Sequence, residues 1–135
     1  MIRPLIFCFL LVCGSSLTAI SQTVTVKDGN YNIRLRIDGD VVKNENYSII
    51  ARIDGDRIKD GNYNVIARID GDRIKDGNYN VIGRLDGKLV KDGNYNTVGR
   101  IDGNTIKDGN YNIVGRIDGS PRSKQLVAIL YFLVL

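Results

Sequence analysis

Histidine and tryptophan are absent from this chain of 135 residues, and its only two cysteines are Cys8 and Cys13. Without histidine the commonest general base is missing. Without a cysteine beyond residue 13, the rest of the chain has neither the best nucleophile nor any disulfide. Proline occurs only as Pro4 and Pro121, so nothing between them interrupts a strand. Lysine and arginine number 19 against 15 acids, a formal charge of +4. The two signs are interspersed, with no basic block of the kind that binds nucleic acid. Aspartate, lysine and tyrosine remain, but they recur at turns, where turn chemistry explains them. These absences argue against an enzyme.

The first residues read as an export signal. Arg3 is a positive start, Leu5 to Val12 an apolar stretch, and Ala19-Ile20-Ser21 a small-residue cleavage pattern. Residues 1–21 are therefore expected to be removed, leaving 22–135 as a single β-repeat domain in the periplasm, at the cell surface or outside. Lipid anchoring through Cys13 is the alternative, disfavoured by the bulky Val12 before it. The apolar tail, Leu126 to Leu135, is about half the length that a membrane-spanning helix needs, so the mature chain is expected to have no span.

What is present is a repeat. Six copies of 16 residues run from 27 to 122 without an insertion, marked by Tyr31, Tyr47, Tyr63, Tyr79, Tyr95 and Tyr111. Such a period means units that stack or close and do not fold alone. Each copy has two turn signals, as at Asp60-Gly61-Asn62 and Asp70-Gly71, between a longer apolar run, Tyr63 to Ile69, and a shorter one, Asp72 to Lys75. Thr23 to Val26 adds one strand before them. The expectation is about twelve short antiparallel strands. Alternation puts Tyr63, Val65, Ala67 and Ile69 on one face, and Asn64, Ile66 and Arg68 on the other. One column is small in five copies (Ala51, Ala67, Gly83, Gly99, Gly115), which points to strand backbones crowding an axis. The first copy has Leu35 there. The tail fits a buried strand and a plug helix equally; burial by the repeats is favoured over an exposed anchor.

Units reading Asn78-Tyr79-Asn80-Val81-Ile82-Gly83-Arg84-Leu85-Asp86-Gly87, with Asn94 to Gly103 and Asn110 to Gly119, an export signal before and an apolar tail behind, resemble the five-fold β-flower proteins. The resemblance implies a small exported bacterial repeat protein, a ring of β-hairpin petals, and no catalytic residues to transfer. The expected fold is thus all-β: a radial array of short hairpins closed like a flower or propeller, with the tail in its core. An open hairpin solenoid is the alternative.

Two columns are candidate ligand contacts. Arg36, Arg52, Arg68, Arg84, Arg100 and Arg116 would share one level of a ring and suit an anionic ligand or glycan. The six tyrosines would form an aromatic belt. Each column also has a plain explanation: ion pairing, as between Arg68 and Asp70, and the preference of tyrosine for half-buried strands. A calcium loop begins well at Asp60, Asn62 and Asn64, but Val65 and Gly71 stand where it needs glycine and glutamate. No metal or cofactor is expected. The function expected is a non-catalytic binding or scaffold module, with a glycan or envelope protein as partner. A self-assembling structural component of the envelope is the first alternative, and an enzyme is a distant second.

Overall fold

Each sixteen-residue copy resolves into two strands and two turns. A computed structural model describes residues 23–135; the expected export signal and Cys13 lie outside the described residues. The longer strands are β2 (Ile33–Asp38), β4 (Ile49–Asp54), β6 (Val65–Asp70), β8 (Val81–Asp86), β10 (Thr97–Asp102) and β12 (Ile113–Asp118). The shorter ones are β1 (Thr23–Lys27), β3 (Val41–Lys43), β5 (Arg57–Asp60), β7 (Arg73–Asp76), β9 (Leu89–Asp92) and β11 (Thr105–Asp108). Every strand pairs antiparallel with its chain neighbours, and β12 pairs with β1, which closes a twelve-stranded barrel. Closure leaves no free edge, so the ring holds and the open solenoid does not.

The two turns define two rims. At one rim a two-residue turn joins long strand to short, as at Gly71-Asp72 between the paired residues Asp70 and Arg73. Gly71 has φ +61°, the positive value that such a hairpin turn requires at its first central residue. Five long–short petals are closed in this way within the chain. The sixth is split between the two ends of the domain, with Arg116, Ile117 and Asp118 of β12 opposite Lys27, Val26 and Thr25 of β1.

At the other rim a four-residue loop, Gly61-Asn62-Tyr63-Asn64, follows Asp60. The Asp60 carboxylate accepts the amides of Asn62 (2.8 Å) and Asn64 (3.0 Å), and the Asp60 amide donates to the Asn64 carbonyl at 2.8 Å. Glycine is needed in these loops because of a close approach: a Cβ on Gly77 would lie 2.6 Å from the Val65 carbonyl oxygen.

Simple alternation fails at one point in the long strand. Ile58 pairs with Ala67 while Lys59 pairs with Val65, so Ile66 is an extra, bulged residue. A bulge re-aims the side chain. Ile66 and its equivalents Ile50, Ile82, Val98 and Val114 therefore pack, half-buried, against the inner core instead of sharing the outer face with Arg68. The strand also begins at Val65, two residues later than the sequence pattern suggests.

The tail is the helix α1 (Ser123–Leu133), with Val127, Ala128, Ile129 and Leu130 buried. A closed barrel offers no edge for a thirteenth strand. A segment inside must satisfy its own backbone groups, and a helix does that. Gln125, 1% exposed, ties the helix to the turn rim: its Nε2 donates to the Gly39 carbonyl at 2.9 Å and its Oε1 accepts the Arg122 amide at 2.8 Å.

The tail explains the three glycines of the small column. A Cβ on Gly83 would lie 2.7 Å from a Leu135 methyl, one on Gly115 2.7 Å from Leu133, and one on Gly99 3.3 Å from Val134. The crowding comes from side chains of the tail and not from strand backbones meeting at an axis. Inward-facing Val26, Val42, Ile58, Ile74, Val90 and Ile106 of the short strands complete the core.

Candidate functional site

The arginine and tyrosine columns meet, but across copies. The Cζ of Arg68 lies 4.1 Å from the centroid of the Tyr79 ring, one copy further on. Arg36 stacks in the same way on Tyr47, Arg52 on Tyr63, Arg84 on Tyr95 and Arg100 on Tyr111, at 4.0 to 4.9 Å. Arg116 completes the ring over Tyr31 at 4.3 Å. The split petal thus carries the same pair as the others.

The expected ion pair between Arg68 and Asp70 does not form. Asp70 is taken by Lys75 at 2.9 Å, as Asp54 is by Lys59, Asp86 by Lys91 and Asp102 by Lys107. The lysine sits on the next short strand, close to the turn, and reaches the aspartate first. Among the described residues the stacked arginines form no ion pair with a carboxylate. The Nε atoms of Arg52, Arg68, Arg84, Arg100 and Arg116 are buried without a hydrogen-bond acceptor. Arg36 differs: its Nη1 donates to the Glu45 carbonyl at 2.9 Å, in the one loop that has Asn44-Glu45 in place of Asp-Gly.

The tyrosines are not half-buried strand residues. All six lie in the loops with φ between +65° and +71°, and they remain 63–65% exposed. Left-handed backbone at a bulky residue costs on the order of 1–3 kcal/mol. The stack on arginine returns about 0.5–2 kcal/mol. The two roughly cancel, so stability alone gives no reason to prefer tyrosine over glycine or asparagine here. Sequence reasoning found both columns but missed their meeting, because arginine and tyrosine of one pair are eleven residues apart, as 68 and 79 are, and belong to different copies.

Four of the six pairs open onto a groove on the outer wall. Asp56, Arg57, Arg68, Ile69, Asp70, Lys75 and Tyr79 line one of 440 Å³. Equivalent grooves lie at Tyr63 (240 Å³), Tyr95 (300 Å³) and Tyr111 (210 Å³). The loops are fixed by hydrogen bonds from their amides to an aspartate side chain, or to Asn44 in the second copy. The amides of Asn64 and Asn62 hold the Asp60 carboxyl below its ordinary value, and Asp28, Asp76, Asp92 and Asp108 are lowered in the same way. Bonding to lysine lowers Asp54 and Asp70. Among the described residues no group of three or more acidic, histidine or cysteine side chains is placed to hold a metal ion.

The sequence model of the 5-fold beta-flower proteins matches residues 15–134. No curated protein and no solved structure shows a significant match. The chain belongs to the β-flower family, whose function is uncharacterised.

Proposed function

We propose that this β-flower protein is an exported, non-catalytic binding module that takes its ligand in the arginine–tyrosine grooves around the barrel. The observation that carries the proposal is the set of six tyrosines held in left-handed backbone, exposed, each with a guanidinium on its ring. Strain of this kind persists where the surroundings enforce it, and it concentrates at ligand sites. The folding ledger leaves it unexplained. A stacked guanidinium without a carboxylate partner is also pre-organised, so little side-chain entropy remains to be lost on binding. Repetition around one rigid wall turns weak single contacts into avidity. The absence of histidine and cysteine from 23–135 supports a role without catalysis.

The test is an array of oligosaccharides and peptides probed with the full domain and with a Tyr63→Gly, Tyr79→Gly, Tyr95→Gly variant. Glycine accepts the loop backbone, so this variant is expected to melt cooperatively near the parent temperature while array binding falls at least tenfold. Array binding that is unchanged in the folded variant would remove the grooves as the site.

A further inference from the structure

The outer wall is not equally charged all the way round. Each stacked arginine faces a lysine across one neighbouring strand, as Arg68 faces Lys75. Across the other neighbour the partner varies: Thr25 opposite Arg36, Val41 opposite Arg52, Leu89 opposite Arg100 and Thr105 opposite Arg116. In two adjacent petals the partner is another arginine, Arg57 opposite Arg68 and Arg73 opposite Arg84. Like charges directly opposite on a sheet oppose folding. Among the described residues none of these four arginines forms a salt bridge, although Arg57 stands opposite Asp54 and Arg73 opposite Asp70 across the turns. Nearby acids are engaged elsewhere: Asp70 and Asp86 by lysines, and Asp56 by Lys124 at 3.2 Å. Asp72 lines the second groove and is the one acid there without such a cation.

Both paired arginines of each petal line its groove, and these two grooves, at 440 and 300 Å³, are larger than those at Tyr63 and Tyr111. Each groove therefore offers two guanidinium forks and an exposed tyrosine ring. One strand, β7, lies between Arg68 and Arg84, so two inter-strand spacings put them about 10 Å apart at the wall and more at the side-chain tips.

We infer that the grooves at Arg57–Arg68–Tyr79 and Arg73–Arg84–Tyr95 form one continuous site for a carboxylate-bearing polysaccharide, with acid groups on the arginine forks and a sugar face on each tyrosine ring. The inference rests on the binding reading above and names its ligand. Two planar forks suit carboxylates. The ring faces and the asparagine-rich loops beside them (Asn78, Asn80, Asn94, Asn96) suit a hydroxylated ring better than an extended acidic peptide, whose backbone would find no open strand edge to pair with.

The experiment measures binding of polygalacturonate oligomers of defined length to the full domain, with neutral dextran and polyglutamate alongside. The key variant is Arg57→Thr with Arg73→Thr, which copies Thr105. Expected are affinity that rises with oligomer length, loss of at least tenfold in the variant, no binding of dextran, and a melting temperature equal to or above the parent's. A binding loss with no stability loss is the signature that a purely structural role would not give. Polygalacturonate binding that the variant leaves intact overturns the site. No polygalacturonate binding, with polyglutamate bound in an arginine-dependent way, overturns the glycan and leaves the grooves standing. No binding by either polymer overturns the inference, and the tyrosine variants then judge the grooves separately.

Discussion

The inner and outer faces of this barrel obey different symmetries. Outside, the same arginine–tyrosine pair recurs six times at nearly one distance. Inside, one column changes from Leu35 through Ala51 and Ala67 to Gly83, Gly99 and Gly115. A single helix cannot match a six-fold wall, so the wall adjusts to the tail, with glycine where Leu133, Val134 and Leu135 would meet a Cβ. The asymmetric face is thus explained by packing. The plug does not set the outer face: the arginine–tyrosine pair recurs in every petal, and what varies there is the residue opposite the arginine.

The strongest way to break the comparison is to remove the inner partner. Truncation after Ser120 deletes α1. Burial of Val127, Ile129 and Leu130 contributes about 1.5–3 kcal/mol each, a total similar to the whole stability of an ordinary domain. The truncated chain is expected to lose its cooperative melting transition by circular dichroism. A gentler change is Gly83→Val, which forces a side chain against Leu135 and is expected to lower stability by about 1–3 kcal/mol in urea melts. Combining it with Leu135→Ala should recover much of that loss, whereas Leu135→Ala should rescue nothing at Gly115, where Leu133 is the neighbour.

On the outer face the same measurement should barely move. Tyr79→Gly relieves left-handed strain and loses one stack, so the net change is expected to be within about 1 kcal/mol. A loss of 3 kcal/mol would make the tyrosine a structural element after all. Acid provides the smallest and most diffuse probe. The loop aspartates have lowered carboxyl values, so their contribution is complete above the ordinary value of 3.8 and is lost as pH falls through the lower folded values. Stability should decline on acidification below about pH 4. Asp60→Asn, which copies Asn44, should shallow that decline in pH-dependent melts.

Much of the barrel was legible in the chain because a fixed period, Asp-Gly turns and uninterrupted strands all point to closed hairpins. The bulge at Ile66 was not, since alternation carries no mark of an extra residue and only the register with Ile58 and Lys59 reveals it. The tail's state was also hidden. Its apolar residues fit a strand or a helix, and closure of the barrel around it made the choice. The bond from the Arg122 amide to Gln125 that caps the helix start shows only in the folded chain. At the site, both columns were visible, but tyrosine's usual preference for strands concealed its left-handed backbone.

The plug has a consequence for how such a chain can change. Tandem units of near-identical sequence invite duplication and loss, and each event would alter the barrel by two strands. A helix, about 10–12 Å across with its side chains, cannot widen or narrow to follow. Residues 123–135 therefore act as a gauge for copy number: a ring with one unit more would leave the helix loose, and one unit fewer would exclude it.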